Sequence, residues 1–161
     1  MTTLPGQKNF VLDEYPLYNL NRTSATYIDE MSKALKQVGL NQTQWRVLGI
    51  LGDKNPSTVT GIARRSVLKM STLTRMLDRM EKDGLITRKL WEKDKRIVHV
   101  HITPKGREYL ARAVQVGASI YARVFDGISD KKAQQLLSTL VQMRENLNRS
   151  PYAPKKPSSK S

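Results

Sequence analysis

A chain of 161 residues with 39% apolar content suits one compact domain, or a small domain with a helical extension. No stretch approaches the roughly 18 to 20 consecutive apolar residues of a membrane span, and the absence of cysteine excludes thiol catalysis, disulfides and thiolate metal sites. The net charge of +14 is unevenly placed: residues 56–107 hold 13 Lys or Arg against 5 Asp or Glu, whereas residues 1–40 balance at zero. A merely soluble basic surface would spread its charge. An excess gathered in one stretch suits a surface that displaces counterions from phosphate, so double-stranded DNA is the expected partner.

Residues 1–15 read as a flexible arm with Pro5 and Gly6 as breakers. Its start, MTTLPGQKNF, lacks the basic residues and apolar run of a secretory signal, so a cytoplasmic location is expected. From Pro16 the residues Leu17, Leu20, Ser24, Tyr27, Ile28, Met31, Leu35 and Val38 recur at helical spacing, and Gly39 suits the stop. This predicts a first helix of about 22 residues. Asn41 or Thr43 caps a second helix with a Trp45, Leu48 and Leu51 stripe, ending near Gly52. A short third helix over residues 58–65 turns Val59, Ile62 and Ala63 inward. A turn over residues 66–69 leads to a fourth helix, residues 70–83, closed by Gly84.

The fourth helix is the most informative. Met70, Leu73, Met76, Leu77 and Met80 share one face, with Ser71, Arg75, Asp78 and Lys82 opposite and Thr72, Thr74 and Arg79 on the flanks. Residues 85–90 read as a strand, residues 91–96 as a polar tip, and the alternating residues 97–102 as the hairpin partner. Thr103 caps and Pro104 opens a fifth helix running through Leu110, Val114, Gly117 and Tyr121 to about Phe125. After Gly127, Ser129 or Asp130 caps a sixth helix bearing Leu136, Leu137, Leu140, Met143 and Leu147. Residues 148–161 form a Pro-, Ser- and Lys-rich tail expected to be disordered.

A short helix, a turn, an amphipathic helix, a strand, a charged turn and a strand follow the order of a winged helix-turn-helix. The fold class expected is mainly α with a small β-hairpin wing. Ser71, Thr72, Thr74 and Arg75 suit base edges, since threonine methyls meet thymine and arginine reaches guanine O6 and N7. Arg64, Arg65, Lys69 and Arg79 are assigned to backbone phosphates, and Lys93, Lys95 and Arg96 to wing contacts with the backbone or minor groove. Asp94 is placed to hydrogen-bond Arg96 or a turn amide and so set the wing's shape. His99 and His101 share a strand face, but with no cysteine and no acidic neighbour at ligand spacing they read as exposed wing residues, and no metal is expected. No Gly-rich phosphate loop, Ser/His/Asp arrangement or apolar carboxylate pair is present, so neither catalysis nor a cofactor is expected.

Three stretches together resemble the MarR family of transcriptional regulators: GLNQTQWRVL at residues 39–48, STLTRMLDRMEKDGLI at 71–86, and DKR at 94–96 followed by ITPKG at 102–106. The last is the most distinctive, because the family joins a wing Asp-x-Arg to a Leu-Thr-x-x-Gly helix start. The resemblance implies an obligate homodimer on a pseudo-palindromic operator. Residues 16–38 and 104–147 would form the helical dimerisation region, and residues 40–103 the DNA-binding lobe. It also implies release of DNA by a small anionic aromatic ligand or an acyl-CoA held beside the first two helices. There Tyr18, Asn21, Arg22, Tyr27, Trp45 and Arg46 are the candidates, with Trp45 as core and Arg46 as a structural pair the competing reading. Lys69 departs from the family, which often places an Asp cap there; the loss costs on the order of 1 kcal/mol and adds a cation. The rival reading is a nonspecific architectural DNA-binding protein.

Overall fold

The computed structural model describes residues 3–149, so the first two residues of the arm and most of the predicted tail, residues 150–161, lie outside the described residues. Two units divide the chain, residues 1–120 and the segment from Tyr121 onward. The first unit holds a 3₁₀ turn (Leu12–Glu14), α1 (Pro16–Lys36), α2 (Gln42–Asp53), β1 (Ser57–Thr58), α3 (Val59–Ser66), α4 (Met70–Lys82), β2 (Ile86–Trp91) and β3 (Asp94–Ile102). Helix α5 (Pro104–Val124) runs on into the second unit, which holds α6 (Asp130–Asn148). Among the described residues no helix is long and apolar enough to cross a membrane.

The starts of α2, α3, α5 and α6 are closed by side chains that satisfy otherwise orphaned N–H groups. Asn41 Oδ1 accepts from the Gln44 N–H at 2.9 Å while Gln44 Oε1 accepts from the Asn41 N–H at 3.0 Å, a reciprocal capping box. Thr58 Oγ1 accepts from Gly61 N–H at 3.1 Å to start α3, and Ser129 Oγ accepts from Lys132 N–H to start α6. Thr103 does two jobs: its Oγ1 accepts from Gly106 N–H at 3.0 Å and donates to the Gly84 carbonyl at 2.7 Å. At the other end of α1, Gly39 adopts φ +74°, which lets the Leu40 N–H reach back to the Leu35 carbonyl.

The core of the first unit gathers the stripes predicted from periodicity. Leu48 and Leu51 of α2, Ile62 of α3, Leu73, Leu77 and Met80 of α4, and Ile86 and Val100 of the sheet are fully buried, with Met31 and Leu35 of α1 against them. Met70 departs from the predicted stripe, being exposed at the first position of its helix. Gly106 sits where a Cβ would run into the Leu85 carbonyl and come within 2.8 Å of Ile102 Cγ1, so the α5 start and the α4–β2 turn pack backbone to backbone.

Three features correct the sequence reading. The sheet has three strands in the order β1-β3-β2, with Ser57 opposite Val100 and Thr58 opposite His99. The wing strands also run further than their apolar residues: β2 extends to Trp91 and β3 starts at Asp94, leaving only Glu92 and Lys93 as the turn, with an irregularity at Leu90/Trp91. Charged residues continue the antiparallel ladder there because it needs only their backbone. Finally, the arm carries a 3₁₀ turn tied to α1, through Asn19 Nδ2 donating to the Asp13 carbonyl at 2.6 Å and an Arg22–Asp13 contact at 3.5 Å.

Helix α6 contrasts with the rest. Among the described residues none of its side chains is buried, although Leu136, Leu137, Leu140 and Leu147 recur along it.

Candidate nucleic-acid interface

The fourth helix buries one face and leaves the predicted base-reading residues on the other. Ser71, Thr72, Thr74 and Arg75 are all exposed. Thr74 Oγ1 donates to the Met70 carbonyl at 3.0 Å, which leaves its methyl and acceptor lone pairs outward. Arg75 Nε leans on the Ser71 carbonyl at 3.4 Å, and its two terminal nitrogens keep the fork that pairs with guanine or phosphate. Lys69 precedes the helix without giving a side-chain cap, so the positive end of the helix dipole is uncompensated there, favourable ground for a phosphate.

The cations assigned to phosphate divide. Arg64, Lys69 and Arg79 are exposed and make no ion pair among the described residues, whereas Arg65 Nη2 meets Asp53 Oδ2 at 2.5 Å. That pair is solvent-exposed and worth about 0–1 kcal/mol, weak enough for a phosphate to displace the aspartate. On the wing, Lys93 lies in the turn and Lys95 follows it. Asp94 Oδ1 accepts from both the Arg96 N–H at 3.0 Å and Arg96 Nε at 3.1 Å, the arrangement anticipated from sequence. Those hydrogen bonds, the backbone one first, hold the Asp94 carboxyl below its ordinary pKa. The Arg96 side chain is 91% exposed, so a two-residue brace aims a cation off the tip.

Sequence reasoning missed Arg88. Its guanidinium Nη2 lies 2.7 Å from both Asp78 Oδ1 and Glu81 Oε2, its Nε donates to Glu81 Oε2 at 2.9 Å, and its backbone N–H donates to Glu81 Oε1 at 2.7 Å. The hydrogen bond from Arg88 holds Glu81 below the usual carboxylate range, and the same contact raises the Arg88 pKa. Nothing in the spacing announces this group, because a turn brings together residues 7 and 10 positions apart.

The six effector candidates lie on α1 and at the start of α2. Arg22 Cζ stacks 5.4 Å above the Tyr18 ring, with Asn21 and Tyr27 exposed along the same helix. Trp45 packs against the core, and Arg46 Nη1 donates to the Ser66 carbonyl at 2.9 Å, closing the end of α3. A cleft of about 330 Å³ lies between α4 and the sheet, lined by Thr74, Leu77, Arg88 and Arg96 among others. A second, of about 360 Å³, joins Ser32 and Lys36 of α1 to the start of α2 and Met76. Neither includes any of the six. His99 and His101, expected to be exposed, are half-buried beside Trp91, whose ring is 5.7 Å from that of His99, and burial lowers the His101 pKa.

Comparison with known proteins agrees with this arrangement. The family model described as MarR family matches residues 40–98, which span the start of α2 to the middle of β3. The HTH-type transcriptional repressor IacR of Pseudomonas putida is 31% identical over 143 residues, covering 89% of this chain and 86% of that one. A MarR-family transcriptional regulator from Silicibacter pomeroyi superposes with a TM-score of 0.78 at 30% identity, over 88% of this chain and 95% of the other. CouR, solved on a 23-mer DNA duplex, gives 0.76 at 27% identity, over 86% and 98% of the two chains. CouR from Rhodococcus jostii RHA1 is also solved with p-coumaroyl-CoA; that structure gives 0.75 at 25% identity, over 83% and 94%. This chain belongs to the MarR family of transcriptional regulators.

Proposed function

We propose that the chain is a homodimeric, ligand-responsive repressor that binds a pseudo-palindromic operator. The observation that carries the reading is the outer face of α4: hydroxyls and a forked guanidinium at its first turns, flanked by exposed Arg64, Lys69 and Arg79, with Lys93, Lys95 and Arg96 on the wing. In that role Ser71, Thr72, Thr74 and Arg75 read bases, the flanking cations grip phosphate, and Arg65 joins them by exchanging Asp53 for DNA. Dimerisation would use residues 16–38 and 104–147, with residues 40–103 as the DNA-binding lobe. The unburied leucines of α6 and the exposed Leu17, Leu20 and Ile28 of α1 support a second copy as their cover.

The ligand class proposed is an aromatic acid or its coenzyme A thioester, by analogy with the complex solved for CouR. Tyr18 and Arg22 are the strongest contacts for it, pairing a ring with a cation on an exposed helix surface. Trp45 and Arg46 are weaker candidates, since each already has a structural partner. A ligand shifts the spacing of the lobes only through its difference in affinity between the two arrangements. A mobility-shift assay on the DNA upstream of the protein's own gene tests this. Release by phenolic acids or their thioesters is expected; an unmoved binding curve would exclude that ligand class. Equal affinity for random DNA at physiological salt would favour the architectural reading.

A further inference from the structure

We propose that Arg88 is a positioning residue for DNA binding, clamping the wing to the recognition helix while screening the only two acids of that helix from DNA; this rests on the DNA-binding reading above. Asp78 and Glu81 are the sole acidic residues of α4. Asp78 shares its exposed face with Ser71 and Arg75, so an uncompensated carboxylate there would oppose the phosphates the neighbouring cations attract. Arg88 Nη2 answers both acids at once, at 2.7 Å each, while Nε adds a further hydrogen bond to Glu81.

The same contacts fix geometry. Glu81 takes the backbone N–H of Arg88 as well as its side chain, so one carboxylate ties the last turns of α4 to the main chain of β2. Arg88 pairs with Val100 of β3, and Val100 is fully buried, so the clamp sits on the rigid part of the wing rather than on its tip. The guanidinium is itself half-buried and commits Nε and Nη2 to the two acids. It therefore acts through α4 and the wing, unlike Arg96, whose side chain is braced by Asp94 and exposed near the tip.

A binding cycle on the full chain separates this role from an ordinary phosphate contact. Affinity for a duplex of the protein's own upstream DNA is measured for the unsubstituted protein, Arg88→Met, Asp78→Asn/Glu81→Gln, and the triple variant. The clamp predicts that Arg88→Met weakens binding on the order of tenfold. Removing the two acids should weaken binding in the native background, where it breaks the clamp, and recover part of the loss in the Arg88→Met background, where it removes unscreened charge. Equal gains in both backgrounds would overturn the proposal, because an Arg88 that grips phosphate leaves the acids uncoupled from it. Melting temperatures run in parallel separate a stability loss from a binding loss. If Arg88→Met does not fold, Arg88→Gln, which loses the charge but stays polar, enters the same cycle with the same expected coupling and the same overturning result. Failure of the unsubstituted protein to bind any duplex sinks the DNA-binding reading, and the clamp with it; binding without coupling sinks the clamp alone.

Discussion

The lobe built from α2 to β3 and the helix α6 use the same 3.6-residue period in opposite ways. Helix α2 buries Val47, Leu48, Ile50 and Leu51 within 12 residues, and α4 buries Leu73, Leu77 and Met80 within 13. Helix α6 has 19 residues, a recurring leucine stripe and nothing buried. The lobe completes its core within one chain. Each leucine of α6 leaves unrealised a part of the about 1.5–3 kcal/mol that full burial brings, which a second copy would supply on the proposal made above. The capping chemistry does not differ, since Asn41 and Ser129 start their helices in the same manner. What separates the two regions is where the partner for the apolar face comes from.

That contrast breaks most visibly in α6. Leu136→Asp with Leu140→Asp should convert a dimer to monomer in sedimentation and lower operator affinity by about 100-fold or more, because two half-sites would no longer be held together. A variant that stays dimeric and bound removes the reason for treating α6 as an interface. Next, Leu77→Ala should destabilise the lobe by about 2–5 kcal/mol in denaturant unfolding, a cavity at a fully buried site. In the lobe's outer face the effects concern DNA rather than stability. Arg75→Ala should cost about 1–3 kcal/mol of discrimination between operator and random DNA. Lys93→Gln should weaken both equally and flatten the salt dependence by about one contact.

Smaller effects sharpen the picture. Val67 closes α3 in the left-handed region at φ 56° while 87% exposed, a conformation that strains a β-branched side chain. Val67→Gly should therefore stabilise the fold by about 1 kcal/mol in thermal unfolding. The smallest is a pH effect. The carboxyl of Glu81 is held below its ordinary value of 4.5 in the folded protein, so its contribution is complete above that value and disappears as pH falls through the lower folded one. Acid titration of stability should lose this component in Glu81→Gln.

Much of this was legible from spacing because the residues that build the lobe act locally. The stripe on α4, the caps at Asn41, Thr103 and Ser129, and the glycine stops at Gly39 and Gly127 each depend on neighbours within a turn or two. What escaped depends on chain reversal. Strand β1 is two residues long, too short for any alternation, and exists because β3 offers it a ladder. Arg88 meets Asp78 and Glu81 only after the turn at Gly84 folds β2 back along α4. The wing strands were underestimated at Asp94 and Lys95 because solvated strand residues carry no apolar signal. For the effector, the exposed Tyr18–Arg22 stack was visible as composition, while the hydrogen bond from Arg46 to Ser66 was not.

The most direct test of a dimeric, sequence-reading regulator is a nuclease footprint of the full chain on its own upstream DNA, with excess random duplex present. The account predicts a protected pseudo-palindrome whose half-sites are centred about one helical turn, roughly 34–36 Å, apart. Protection spread evenly along the fragment and abolished by the random duplex would contradict it.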